Sequence, residues 1–190
     1  MKRFIFLLLF ALVGSISNGS ASPACIKASD TSRVVSVGGS VTEVIFYLNL
    51  QSNLVARDIT SNFPPQALEL PSVGYVRSLS TEGVLSVSPT LILGEADMGP
   101  PFVIQQFRNA VVDLRIIPDT FSGNGIEEKV RCVGQILGLG KQKLEQKLNK
   151  LSVINAKIRS SKATRAISKK RYIIILMMRG TSPFVAGAGT

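Results

Sequence analysis

Val34-Val35-Ser36-Val37 is a short run dominated by β-branched residues. It stops at Gly38-Gly39 and is followed at once by Ser40-Val41-Thr42-Glu43. An apolar run of this length without polar alternation reads as a strand buried on both faces, the habit of parallel sheets. The Ser-x-x-Glu spacing predicts a capping box, with Ser40 at the N-cap and Glu43 at N3. Val41, Val44, Ile45 and Leu48 then recur on one helical face. A strand, a glycine turn and a helix in so few residues commit the chain to a βα unit.

The remainder repeats that unit. Residues 53–57 read as a second strand, and Phe63-Pro64-Pro65 interrupts regular structure. Ser80-Thr81-Glu82 opens a helix through Val87, Pro89 ends it, and residues 90–93 make a third strand. A Gly/Pro loop at 94–101, a helix at 102–110 and a fourth strand at 111–117 follow. Ile126, Val130, Val133 and Leu137 mark another helix, closed by Gly138-Leu139-Gly140. Strands alternating with helices predict an α/β fold with a mainly parallel sheet.

Leu144, Leu148, Leu151 and Ile158 place a long helix from 141 to about 162, roughly 33 Å at 1.5 Å per residue. Residues 171–176 form a last strand, and 180–190 read as loop. A single strand cannot bury itself, so it either joins the first sheet or begins a second lobe.

Composition removes several function classes. The chain of 190 residues contains no histidine, which excludes a Ser-His-Asp triad, a Cys-His pair and a histidine zinc site. Its net charge of +10 is local: residues 141–171 hold eleven Lys or Arg against Glu145, and the rest sums to zero. That helix is expected to be a solvated element packed by its leucines; binding to nucleic acid or an anionic surface is the alternative. Lys2 and Arg3, the apolar run 4–13 and the small residues after it read as a signal peptide over residues 1–24. An uncleaved anchor and a lipid-modified Cys25 are the alternatives. An exported chain permits a disulfide, but Cys132, in a predicted helix, is expected to be a small apolar filler and not the partner of Cys25.

Three short motifs carry chemistry. Tyr75 precedes Arg77 by two residues on a short connection. A guanidinium favours phenolate over phenol, and phenolate is a hard ligand for ferric iron and one of the few axial protein ligands of haem. The same pattern also describes an ordinary surface phenol beside a charge. Gly38-Gly39-Ser40 has neither phosphate-loop spacing; it reads as a turn and cap on which an anion could rest. Met178, after the last strand, is a soft haem ligand or core filler.

Taken in order, several stretches resemble a known family. They are Val35-Ser36-Val37-Gly38-Gly39-Ser40-Val41-Thr42-Glu43, Ala56-Arg57-Asp58-Ile59-Thr60, Phe63-Pro64-Pro65, the run Val73-Gly74-Tyr75-Val76-Arg77-Ser78-Leu79-Ser80-Thr81-Glu82-Gly83-Val84-Leu85, Gly99-Pro100-Pro101 and Ala186-Gly187-Ala188-Gly189-Thr190. Together they resemble the periplasmic haem-binding proteins that serve bacterial ABC haem importers. The run around Tyr75 is specific to the haem branch, and the others are shared with vitamin B12 and siderophore binders.

The resemblance implies an N-terminal α/β binding lobe at 33–122, a helical region at 123–165 including a long inter-lobe helix, and the start of a second lobe at 171–190. It implies a non-enzymatic, monomeric binder in the periplasm that carries ferric haem. Its partners would be haem and an inner-membrane ABC permease, with no nucleic acid. Tyr75 would be the axial iron ligand, Arg77 its charged neighbour, and Gly99 and Pro100 part of the cleft wall. Glu82 would dock to permease arginines, though an acid in a first helical turn also stabilises the helix dipole. Met178 stands where relatives that stack two haems place a histidine, so one haem is expected. Such relatives continue by about 100 residues, one further lobe, so the chain reads as truncated. A cobalamin or ferric siderophore on the same scaffold, or a truncated product that only binds anionic surfaces, are the rival readings.

Overall fold

The structure is a computed structural model that describes residues 25–110, 112–164, 175–179 and 182–185. The expected signal peptide at 1–24, the first residues of the expected strand at 171–176 and the Gly-x-Gly motif at 186–190 lie outside the described residues. The chain divides into two compact units, residues 1–148 and 149–190.

In the first unit, β1 (Val34–Val37) leads into α1 (Gly39–Tyr47) and β2 (Leu54–Arg57). A small hairpin, β3 (Gly74–Tyr75) and β4 (Ser78–Leu79), precedes α2 (Thr81–Leu85). Then come β5 (Leu91–Gly94), α3 (Pro101–Asn109), β6 (Asp113–Ile116), α4 (Gly123–Ile136) and α5 (Lys141–Thr164). β1, β2, β5 and β6 form a parallel sheet in the order β2-β1-β5-β6. The α/β architecture expected from the strand–helix alternation is the one observed.

The period of two along each strand sorts the core into two layers. Val35, Val37, Ala56 and Ile92 face a cluster completed by Val76 and Leu79 of the hairpin region, Val84 of α2, and Val103, Ile104 and Phe107 of α3. The alternate residue Ser36 faces the other way and hydrogen-bonds Thr42 of α1 at 2.7 Å. Thr42 donates to Ser61 Oγ at 2.7 Å, and Ser61 donates to Asp58. Asp58, fully buried, also accepts from the Gly38 and Thr60 amides, each at 2.9 Å. This network joins the ends of β1 and β2 to α1. Among the described residues no buried side-chain nitrogen or oxygen lacks a partner, as close packing in low dielectric requires.

The expected capping box at Ser40 does not form. The N-cap of α1 is Gly38, with no side-chain cap bond. The Ser40 amide donates to Glu95 Oε1 at 3.0 Å, and the Ser40 hydroxyl donates to the same oxygen. An acid from the end of β5, distant in sequence, thus does the work assigned to Glu43. It also takes the helix-terminus position read as a resting place for an anion. Gly38 is required here: its φ is +107°, and a Cβ would lie 2.3 Å from Glu95 Cδ. By contrast, the cap at Ser80 forms as expected, accepting from the Gly83 amide at 2.9 Å.

Cys132 is not a free filler. It is bonded to Cys25, with Cα atoms 4.7 Å apart across 107 positions of sequence. The Ala28 amide donates to Ile136 O at 3.0 Å beside the bridge. This N-terminal arm, α1 and the start of α5 enclose the second half of α4. Val130, Cys132, Val133, Ile136 and Leu137 are therefore buried, whereas Ile126, expected in the same stripe, is 52% exposed. On α5, Leu144 and Leu148 are buried. Tyr47 donates its hydroxyl to Lys147 O at 2.6 Å, and the Lys147 ammonium lies 4.9 Å from the Tyr47 ring centroid.

In the second unit, Leu151 is half-buried and Ile158, expected in the leucine stripe, is exposed. β7 (Ile175–Arg179) pairs antiparallel with β8 (Ser182–Val185), so the final strand is not alone and 180–190 is not all loop. Pro183 lies within β8, and a two-stranded ribbon has only edges, where proline is tolerated. Met178 pairs with Pro183.

Candidate functional site

The sheet order places a topological switch between β1 and β5. The chain leaves β1 for β2 on one side and β5 for β6 on the other. Ligands of open α/β sheets sit beyond the carboxyl ends of the strands at such a point. Gly38 and Gly94-Glu95 stand at these two strand ends.

The backbone carries Tyr75 to the same edge. Ser72 bridges Arg57 in parallel, the Val73 amide donates to Arg57 O at 2.8 Å, and the Ile59 amide donates to Gly74 O at 2.8 Å. The segment before Tyr75 thus runs alongside the end of β2 and past it. The buried Arg57 guanidinium supports this path, donating to Ala67 O and Asp58 O at 2.9 Å each. The β3–β4 turn is then stitched to the 94–101 loop. The Gly99 amide donates to Val76 O, and the Leu79 amide to Gly99 O, both at 2.9 Å. Val76 and Leu79 are buried, so the hairpin is anchored from beneath.

On this footing Tyr75 is 44% exposed, and its hydroxyl makes no hydrogen bond to a described residue. Arg77 is turned to a different partner from the one its spacing suggested. Its Nε donates to Asp97 Oδ2 at 2.8 Å, and its Nη2 lies 2.7 Å from the same oxygen. The guanidinium is held above its ordinary value first by that hydrogen bond and the Asp97 charge, then by Tyr75 and Glu95 through space. Gly99 is buried, and Pro100 follows it across a cis peptide at the start of α3.

Apolar side chains are exposed on the segments that follow the carboxyl ends of β2, β5 and β6. Ile59 and Phe63 come after β2, Phe102 after β5, and Phe121, 97% exposed, after β6. Single exposed apolar residues need no explanation, but here several follow the carboxyl ends of neighbouring strands of one sheet.

The structure therefore brings Tyr75, Arg77, Gly99 and Pro100 together in the first unit. Glu82 is exposed in the first turn of α2. Met178 belongs to the β7–β8 hairpin of the second unit. Sequence reasoning missed Asp97 and Glu95. No spacing rule ties Arg77 to an acid twenty positions later; only the acids inside a Gly/Pro loop hinted at them.

Residues 34–190 match the family described as periplasmic binding protein. A periplasmic haem-binding protein of Vibrio cholerae is similar at 33% identity and TM-score 0.69, over 83% of this chain and 59% of that one. A periplasmic haem-binding protein solved with two haems is similar at 31% identity and TM-score 0.77, over 82% of this chain and 60% of that one. A vitamin B12-binding protein of Vibrio cholerae is 33% identical over 76 residues, 40% of this chain and 28% of its own length. The chain thus spans under two thirds of each of these relatives.

Proposed function

The chain belongs to the periplasmic binding protein family, and from that premise we propose that it captures ferric haem in the periplasm for an ABC permease. Tyr75 is the axial iron ligand in this reading. The observation that carries it is the Tyr75 phenol itself, exposed, unbonded and fixed on a hairpin anchored by Val76 and Leu79. Phenolate suits ferric iron, and the chain has no histidine to offer in its place. Ile59, Phe63 and Phe102 supply apolar surface for a flat macrocycle, and Arg77 supplies a cation for its carboxylates. Gly99 and Pro100 shape the adjoining loop. Glu82, exposed beside the Ser80 cap, is the docking acid for the permease. No catalytic step is assigned to the site.

Full-chain protein titrated with ferric haem is expected to saturate with a tyrosinate-type absorption spectrum, and Tyr75→Phe is expected to lose that spectrum while keeping its far-ultraviolet dichroism. An unchanged spectrum in the variant refutes the axial assignment. The similarity to vitamin B12-binding proteins favours a second reading, cobalamin on the same surface. Saturable cobalamin binding that is indifferent to Tyr75→Phe, without haem binding, would establish it.

A further inference from the structure

Arg77 and Asp97 form an ion pair whose side chains are 64% and 46% exposed. A pair so open to water contributes little to stability. Its placement is nevertheless well defined. Asp97 sits on the 94–101 loop, two residues before Gly99, whose amide and carbonyl are both bonded to the β3–β4 region. Loop and hairpin are therefore tied by two backbone hydrogen bonds, and a single carboxylate oxygen receives two nitrogens of Arg77.

We propose that Asp97 is the internal counter-ion of the site, a positioning residue that occupies Arg77 until a carboxylate of the ligand takes its place. This deepens the haem reading above and rests on it for the identity of the ligand. The exchange is carboxylate for carboxylate, so its net electrostatic cost is small, and the exposure of both partners leaves no buried charge stranded when they part. It selects for ligands with ionised carboxylates, because a ligand whose polar groups are amides cannot replace Asp97. In the free protein Asp97 holds the guanidinium in place, and after exchange it is released from the pair as the ligand binds.

The test is a two-by-two set, wild type, Asp97→Asn, Arg77→Gln and the double variant, in the full chain, titrated with ferric haem and with its dimethyl ester. Ferric haem should bind Asp97→Asn about two- to fivefold more tightly than wild type, the range set by release of an exposed ion pair, with no gain in the double variant. The gain should shrink with added salt. The diester, which has no carboxylate to exchange, should bind more weakly than the diacid and be indifferent to Asp97→Asn. A gain that is absent, equal in both Arg77 backgrounds, or shared by the diester overturns the proposal. Wild-type protein that binds neither form defeats the haem reading and the proposal with it, whereas haem bound by wild type with no effect of Asp97→Asn overturns the counter-ion role alone.

Discussion

Cutting the Cys25–Cys132 bridge tests the largest covalent constraint on the first unit. Cys25→Ser is the appropriate variant, because Cys25 lies on the arm while Cys132 is 4% exposed within α4 and keeps its packing. The bridge spans 107 positions of sequence. In the chain-entropy account, a closed loop of that size removes denatured-state freedom worth about 4.7 kcal/mol at 25 °C. Residual structure in the denatured chain reduces the gain, so a loss of about 3–5 kcal/mol is expected, or roughly 10 °C in Tm for a chain of this size. Urea unfolding followed by circular dichroism measures it. The slope of free energy on urea should rise as well, since an uncrosslinked denatured chain exposes more surface. Cys132→Ala should cost at least as much, and the double variant little more, because both substitutions remove one bond. A loss below about 1 kcal/mol with an unchanged slope would refute the reasoning: the arm would then be held by the Ala28–Ile136 hydrogen bond and by the Arg33 guanidinium, which donates to Ser88 O and Val87 O, not by the crosslink.

Two further outcomes probe the packing that supports the site. Phe107→Ala, at a fully buried position beneath the hairpin cluster, should cost about 3–5 kcal/mol in the same unfolding assay. It should also weaken ligand binding by loosening the support of Val76. Burial raises the Tyr47 phenol above its usual value of about 10. A group with a raised folded value contributes stability that is complete below pH 10 and is lost as pH rises through the folded value. Wild type should therefore lose stability on titration above about pH 10. Tyr47→Phe should flatten that decline while costing about 1 kcal/mol at pH 7 through the lost bond to Lys147 O; an equal alkaline slope in both proteins would contradict the assignment.

Much of the framework was legible in local sequence. Val34–Val37 announced itself as a buried strand because a strand covered on both faces has no room for polar alternation, and the strands read at 53–57 and 90–93 fall within a residue of β2 and β5. Ser80 announced its helix because the capping bond closes within three residues. Tyr75 and Arg77 stood out by residue type, since few pairs combine a hard anionic donor with a nearby cation, whereas Gly99 and Pro100 were pointed to only by the family resemblance.

What local sequence could not determine depends on groups remote along the chain. The acid at the start of α1 is Glu95 and not Glu43, since β1 and β5 are neighbours in the sheet and their carboxyl ends meet. Cys132 meets Cys25 because the arm returns along α4, a closure that spacing does not encode. Arg77 pairs with Asp97 because two loop–hairpin hydrogen bonds bring the 94–101 segment against the β3–β4 turn. Sequence alone therefore determined the parallel-sheet strands and the helices of the first unit, through patterning that acts over a few residues, but not the β3–β4 hairpin or β8. Only the tertiary structure decided which charges meet, because electrostatic and covalent partners are chosen by distance in space.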